Sequence, residues 1–93
     1  MTGTVSGVPY TPPSRAALGS VIRAAREERG LSIEALAHAS EMHPTYLSGI
    51  ERGHYNPSWK KLGALATQLD LSISEIARRA ETRERPVGAN RLS

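Results

Sequence analysis

Apolar residues recur every three or four positions through the middle of this chain, and no stretch alternates with period two for long enough to make a strand. The pattern predicts an all-α protein. It divides into five amphipathic segments, separated by short runs of the Gly, Ser, Asn and Pro residues that favour caps and turns. Five helices sharing one small core are therefore expected.

The first helix is expected to begin at Ser14, whose hydroxyl can accept from the free amides of the first turn, and to end at Gly30. The predicted buried stripe has the spacing i, i+3, i+4, i+7 and the charged residues lie on the other sides, toward solvent or a partner. The stripe is Leu18, Val21, Ile22 and Ala25; the charged residues are Arg15, Arg23, Arg26, Glu27 and Arg29.

Two short helices follow, with a tight turn between them. Ser32 caps the predicted second helix, which ends near Ala39, and the third runs from Met42 to Arg52 with Pro44 in its first turn. Ala37, Leu47 and Ile50 face inward, and the small Ala37 lets the two helices approach closely. This layout is typical of a helix-turn-helix.

The fourth and fifth helices complete the pattern. Asn56, Pro57 and Ser58 form a turn and cap, and a Ser-x-x-Glu capping box at Ser72 and Glu75 opens the last helix, which continues to about Arg83. The inward residues are expected to be Trp59, Leu62, Leu65, Ala66 and Leu69 in the fourth helix, and Ile73, Ile76, Ala77 and Ala80 in the fifth.

Length and composition limit the organisation to one domain. The 93 residues divide into an expected flexible tail at 1–13, a helical domain at 14–83 and a second flexible tail at 84–93, with no room for a domain that senses a small molecule. The chain has no cysteine, no apolar run long enough for a membrane span and no signal-peptide pattern at its start. We expect a cytoplasmic protein without membrane contact.

The net charge of +3 permits an anionic partner without requiring one. The predicted helices bring together no nucleophile, base and orienting group, and no cluster of metal ligands. No enzymatic activity, metal or cofactor is therefore expected.

Four segments, in order and correctly spaced, resemble the Cro/repressor-type (XRE) helix-turn-helix family. They are LeuSerIleGluAlaLeuAla at 31–37, ProThrTyrLeuSerGlyIleGluArgGly at 44–53, AsnProSer at 56–58 and LeuGlyAlaLeuAla at 62–66. The resemblance extends over residues 15–82. It implies a compact five-helix, lambda-repressor-like domain that binds double-stranded operator DNA, usually as a homodimer, with the third helix in the major groove.

The chain departs from the family pattern at three positions. Ile33 stands where the family usually has Gln, so a contact that braces a phosphate and a base-reading side chain is lost. Glu41 replaces a turn Gly, and we expect either an opened turn or a strained Glu41, because positive φ costs a non-glycine residue about 1 kcal/mol. Asp70 also replaces Gly, but Asp tolerates that conformation better.

The resemblance places base reading on the outer face of the third helix, at His43, Pro44, Thr45, Ser48 and Gly49. This set has no Arg, Lys, Asn or Gln to make bidentate contacts with bases, so sequence preference should depend partly on DNA shape. Free helix-start amides and nearby polar side chains favour phosphate contacts. The predicted phosphate-binding residues are Ser32, Tyr46, Arg52, His54, Asn56, Ser58 and Lys61, with Arg52 assigned by resemblance.

Several residues have a structural alternative. Tyr46 is equally consistent with a lid on the core, Lys61 with a solvated helix face, and Trp59 is expected to anchor the core rather than to stack on a base. Leu69, Leu71, Ile73 and Ile76 offer apolar surface for a dimer, although all four could belong to the internal core.

The resulting hypothesis is a transcriptional regulator that binds two DNA half-sites as a homodimer. The alternative is an antitoxin or another protein-interaction module that uses the same fold to bind a protein partner.

Overall fold

The computed structural model describes residues 9–84. Five helices are present: α1 (Arg15–Glu28), α2 (Ile33–Ala39), α3 (Pro44–Glu51), α4 (Trp59–Leu69) and α5 (Ile73–Glu84). Residues 9–84 contain no strand, which confirms the all-α prediction. None of these helices is sufficiently long and apolar to cross a membrane.

Serine side chains cap four of the helices, as the sequence predicts. The hydroxyls of Ser14, Ser32 and Ser58 accept from the amides of Ala17, Ala35 and Lys61, at 3.1, 3.0 and 3.1 Å. Ser72 likewise accepts from the amide of Glu75 at 3.0 Å, which is half of the predicted capping box. The Glu75 carboxylate instead accepts from Arg78 and Arg79.

Helices α1 to α4 all end in the same way, with one residue at positive φ. The residues are Gly30, Glu41, Gly53 and Asp70, and the next amide returns in each case to a carbonyl five residues earlier. Glu41 has a φ of 56°, so it takes the strained form of the turn that the sequence allowed for. Asp70 has a φ of 58°.

The core joins α2 and α3 to α1 and α4. Its largest buried side chains are Ile22, Leu36, Leu47, Ile50 and Leu65, and a second cluster of Val21, Ala66, Ile76 and Ala80 holds α5 against α1 and α4. Helix α3 approaches α1 closely at Gly19, where a β-carbon would collide with the backbone carbonyl oxygens of Ile50 and Glu51.

Two predicted inward residues lie outside the core. Trp59 is 75% exposed, so the expectation of a core anchor was wrong. The residue occupies the first position of α4, ahead of the stripe that begins at Leu62, and its side chain extends beyond the packed turns. Ala77 is exposed as well, because α5 buries only Ile76 and Ala80 fully.

The start of α1 is joined to the end of α5. A Glu84 carboxylate oxygen accepts from the Ser14 hydroxyl at 2.6 Å and from its amide at 3.1 Å, which lowers the pKa of Glu84. Tyr10, within the predicted tail 1–13, donates to Glu81 at 2.6 Å. Glu84 belongs to α5 rather than to the tail, and the other predicted tail residues at 1–8 and 85–93 lie outside the described part of the chain.

Candidate nucleic-acid interface

One stripe of α3 is turned away from the core. Thr45, Ser48 and Arg52 follow each other at three- and four-residue spacing, and Thr45 and Arg52 are exposed while Ser48 is half-buried. With Pro44 they form one wall of a groove, and Ile33 and Glu34 at the start of α2 form the other. His43 lies just before α3, exposed and without a capping bond from its side chain.

Gly49 is not part of this stripe. It is buried, and a β-carbon there would collide with the ring of Tyr55. The Tyr55 ring also stacks on Tyr46, with 5.6 Å between ring centroids. The predicted place for Gly49 on the base-reading face was wrong, because α3 turns this position toward the loop that follows it.

The acidic end of α3 is neutralised inside the protein. Arg26 donates to both Glu51 carboxylate oxygens, at 2.7 and 3.0 Å, and to the carbonyl oxygen of Leu31 at 2.8 Å. The Arg26 and Glu51 side chains are only 11% and 5% exposed, and the hydrogen bonds that Arg26 donates to Glu51 raise the pKa of Arg26. Arg26 was expected to face solvent or a binding partner. The helical pattern does not show that it pairs with Glu51, which is 25 positions away in sequence.

The serines predicted to contact phosphates have a capping role in the structure. Ser32 and Ser58 are exposed N-caps, and each hydroxyl accepts a hydrogen bond from one helix amide. The first amides of α2 and α4 therefore lie beside exposed side chains. A helix start of this kind favours a negative charge.

The predicted basic residues take two different positions. Arg52 is exposed and bonds through Nε to the Ser48 carbonyl oxygen at 3.3 Å. Lys61 is half-buried, and its Nζ donates to the carbonyl oxygen of Glu41 at 3.2 Å. Lys61 therefore braces the strained turn between α2 and α3, a role that neither sequence-based alternative included.

The remaining predicted residues lie in the loop after α3. His54 and Asn56 are exposed, and the Tyr46 hydroxyl is 3.5 Å from the carbonyl oxygen of Asn56. Tyr46 is half-buried and packs against the core. Its position fits the lid alternative, with its hydroxyl at the edge of the loop.

The four residues predicted for a dimer surface divide into two pairs. Leu69 and Ile76 are 2% and 1% exposed, so they belong to the core and cannot also form a dimer contact in this conformation. Leu71 and Ile73 are half-buried and pack against the second core cluster with one side. Within residues 9–84, no three His, Asp or Glu side chains are grouped as metal ligands would be.

Comparisons with known proteins point in one direction. The family model HTH_3, described as helix-turn-helix, matches residues 22–76. The immunity repressor protein of Bacillus phage phi105 is 41% identical over 59 residues, which are 63% of this chain and 41% of the repressor. The transcriptional regulator ClgR of Mycobacterium tuberculosis (strain H37Rv) is 36% identical over 62 residues, 67% of this chain and 55% of ClgR. The chain thus spans about two fifths to a little over half of these relatives.

Solved structures agree with the fold. The clp gene regulator ClgR from Corynebacterium glutamicum superimposes with a TM-score of 0.77 and 31% identity, covering 83% of this chain and 82% of that one. The master regulator for biofilm formation SinR, solved in complex with DNA, gives a TM-score of 0.61 and 35% identity over 63% of this chain and 95% of SinR. The five-helix arrangement is therefore that of known regulators.

Proposed function

Because the chain belongs to the Cro/repressor-type (XRE) helix-turn-helix family, we propose that it is a transcriptional regulator that binds double-stranded DNA with α3 in the major groove. Thr45 and Ser48 contact base edges, His43 and Pro44 flank them, and Arg52 contacts a phosphate. The likeness to SinR, which has been solved in complex with DNA, supports this assignment.

A single observation carries the proposal. The outer stripe of α3 is exposed at Thr45 and Arg52, while Glu51, the acidic residue of the same helix, is buried against Arg26. A free carboxylate at this point would repel the phosphate backbone. Its neutralisation leaves Glu34, in the first turn of α2, as the acidic side chain that lines the same groove, together with the cationic Arg52.

The test is binding to labelled duplex DNA as a function of salt, by fluorescence anisotropy. Arg52→Ala should weaken binding to a selected site and to random duplex alike, and it should reduce the slope of log K against log salt by about one unit. Arg23→Ala removes the same charge from an exposed position on α1 and is the matched control. If the Arg52 variant and the parent protein bind duplex DNA with equal affinity, Arg52 does not contact the DNA.

Homodimerisation on two half-sites is the finer part of the proposal. The half-sites would lie about 34 Å apart, one turn of the duplex. Leu71 and Ile73, which are partly exposed, are the candidates that the core leaves available for the contact. Selection of bound fragments from random duplex DNA tests this directly, since a dimer selects a two-fold symmetric site. An asymmetric single site would contradict it.

A protein partner is a second candidate. The fold is also similar to SinR in its complex with the SinI protein, with a TM-score of 0.61. Steep salt dependence with duplex DNA favours the regulator, whereas tight binding to a protein with no affinity for DNA at low salt favours the interaction module.

A further inference from the structure

A groove runs between the start of α2 and the outer stripe of α3. Its volume is about 330 Å³, and it is lined by Ile33, Glu34, Pro44, Thr45, Ser48 and Arg52. Ile33 and Pro44 are half-buried while Thr45 is exposed, so the groove is open on the side where α3 presents its polar stripe.

Part of the groove lining is apolar. Ile33 packs with one side against the core, which limits its movement, and its other side faces the groove. Pro44 and the Thr45 methyl add further carbon surface and no charged donor. A Gln side chain in place of Ile33 would offer a donor and an acceptor here, whereas Ile offers only methyl and methylene groups.

The groove is lined by one charge of each sign. Glu34 contributes a carboxylate and Arg52 a guanidinium, so the two charges offset each other, and the apolar side chains are what distinguishes one base edge from another. Among the four base edges in the major groove, thymine is the one that carries a methyl group.

We propose that Ile33, Pro44 and Thr45 form a subsite for the C5 methyl of a thymine, and that this contact supplies sequence preference that the chain lacks from bidentate donors. The inference rests on the proposed function and specifies one base that it reads. The Ser48 hydroxyl lies in the same groove and can donate to thymine O4.

The experiment replaces thymine by deoxyuridine, which removes only the methyl group. Duplexes are first selected from a random library with the full chain, and each thymine of the selected site is then replaced in turn. We expect one position per half-site to bind about fourfold more weakly, as the loss of one buried methyl predicts. Deoxyuridine outside the half-sites is the matched control and should change nothing.

Two variants connect the effect to the groove. In Ile33→Ala the penalty for deoxyuridine should fall below about twofold. If that variant fails to fold because Ile33 also touches the core, Thr45→Ser keeps the hydroxyl, removes the methyl from an exposed position and should reduce the penalty in the same direction.

The outcomes separate this inference from the function on which it rests. A selected site without thymine in its half-sites, or an unchanged penalty in the variant that folds, overturns the methyl subsite and leaves DNA binding intact. Absence of binding to any duplex at low salt overturns both.

Discussion

Removal of Arg26 should have the largest effect on stability among the charged residues of α1. Arg26→Ala leaves the Glu51 carboxylate without its two hydrogen bonds, in a place where the Glu51 side chain is 5% exposed. It also leaves the carbonyl oxygen of Leu31 without its bond from Arg26. Breaking a buried ion pair by deletion of one partner costs about 3–5 kcal/mol, because the other charge remains desolvated.

For a domain of this size, 1 kcal/mol corresponds to about 4–8 °C in melting temperature, so the loss should be roughly 12 °C or more. The measurement is thermal and urea unfolding followed by circular dichroism. Arg23→Ala is the control, since Arg23 and Glu27 pair on the surface with side chains 61% and 55% exposed. Such a pair contributes less than about 1 kcal/mol.

A paired substitution separates burial of charge from simple loss of contacts. Arg26→Met combined with Glu51→Met removes both charges and should recover much of the stability that Arg26→Ala loses. If Arg26→Ala destabilises the protein no more than Arg23→Ala does, the buried ion pair does not hold α1 against α3.

Two further predictions concern glycines and pH. Gly19→Ala should destabilise the domain strongly, because the new β-carbon meets the backbone carbonyl oxygens of α3. Gly63→Ala should stabilise the domain by up to about 1 kcal/mol, because Ala favours the helix and the nearest atom to the new β-carbon is Ile73 Cδ1 at 4.0 Å. Urea midpoints for the two variants should therefore move in opposite directions, and a shared direction would contradict the close approach of α1 and α3. The hydrogen bonds from Arg78 and Arg79 lower the pKa of Glu75 from 4.5 to about 2. A lowered pKa in the folded state stabilises it fully above pH 4.5 and progressively less as the pH falls toward 2, so stability over this range should fall less in Glu75→Gln than in the parent protein. Parallel pH profiles would show that the ion pairs of Glu75 do not form in solution.

The helices could be predicted from the sequence because their signals are local. Ser14, Ser32 and Ser58 cap helices through bonds within three residues, and the positive φ values at Gly30 and Gly53 end helices where the apolar pattern stops. Such features are encoded within one or two turns.

The features that the sequence did not disclose depend on contacts between helices. Periodicity placed Arg26 outside the core, but the guanidinium reaches Glu51 across the contact between α1 and α3. The same contact requires Gly19, which no local pattern marks as special. Trp59 fits the apolar period of α4, yet no neighbouring helix covers the first position of that helix, and the ring stays exposed.

In the candidate site, too, some positions could be predicted from the sequence and others depend on contacts between distant residues. The exposed stripe with Thr45 and Arg52 follows from helical geometry, so its location could be predicted. Gly49 could not be placed correctly, because its burial depends on the return of Tyr55 onto α3. The hydrogen bond of Lys61 could not be predicted either, because its acceptor is the carbonyl oxygen of Glu41, which lies 20 residues away in sequence.

The two hydrogen bonds that Ser14 donates to Glu84 affect local opening of the domain. Ser14 caps α1 through the same hydroxyl that donates to Glu84. One side chain therefore hydrogen-bonds to the start of α1 and to the end of α5, which are 70 residues apart in sequence. Fraying of the last turn of α5 therefore weakens the first turn of α1, and the reverse holds as well. We therefore expect the amide protons of these two terminal turns to lose protection from solvent exchange together.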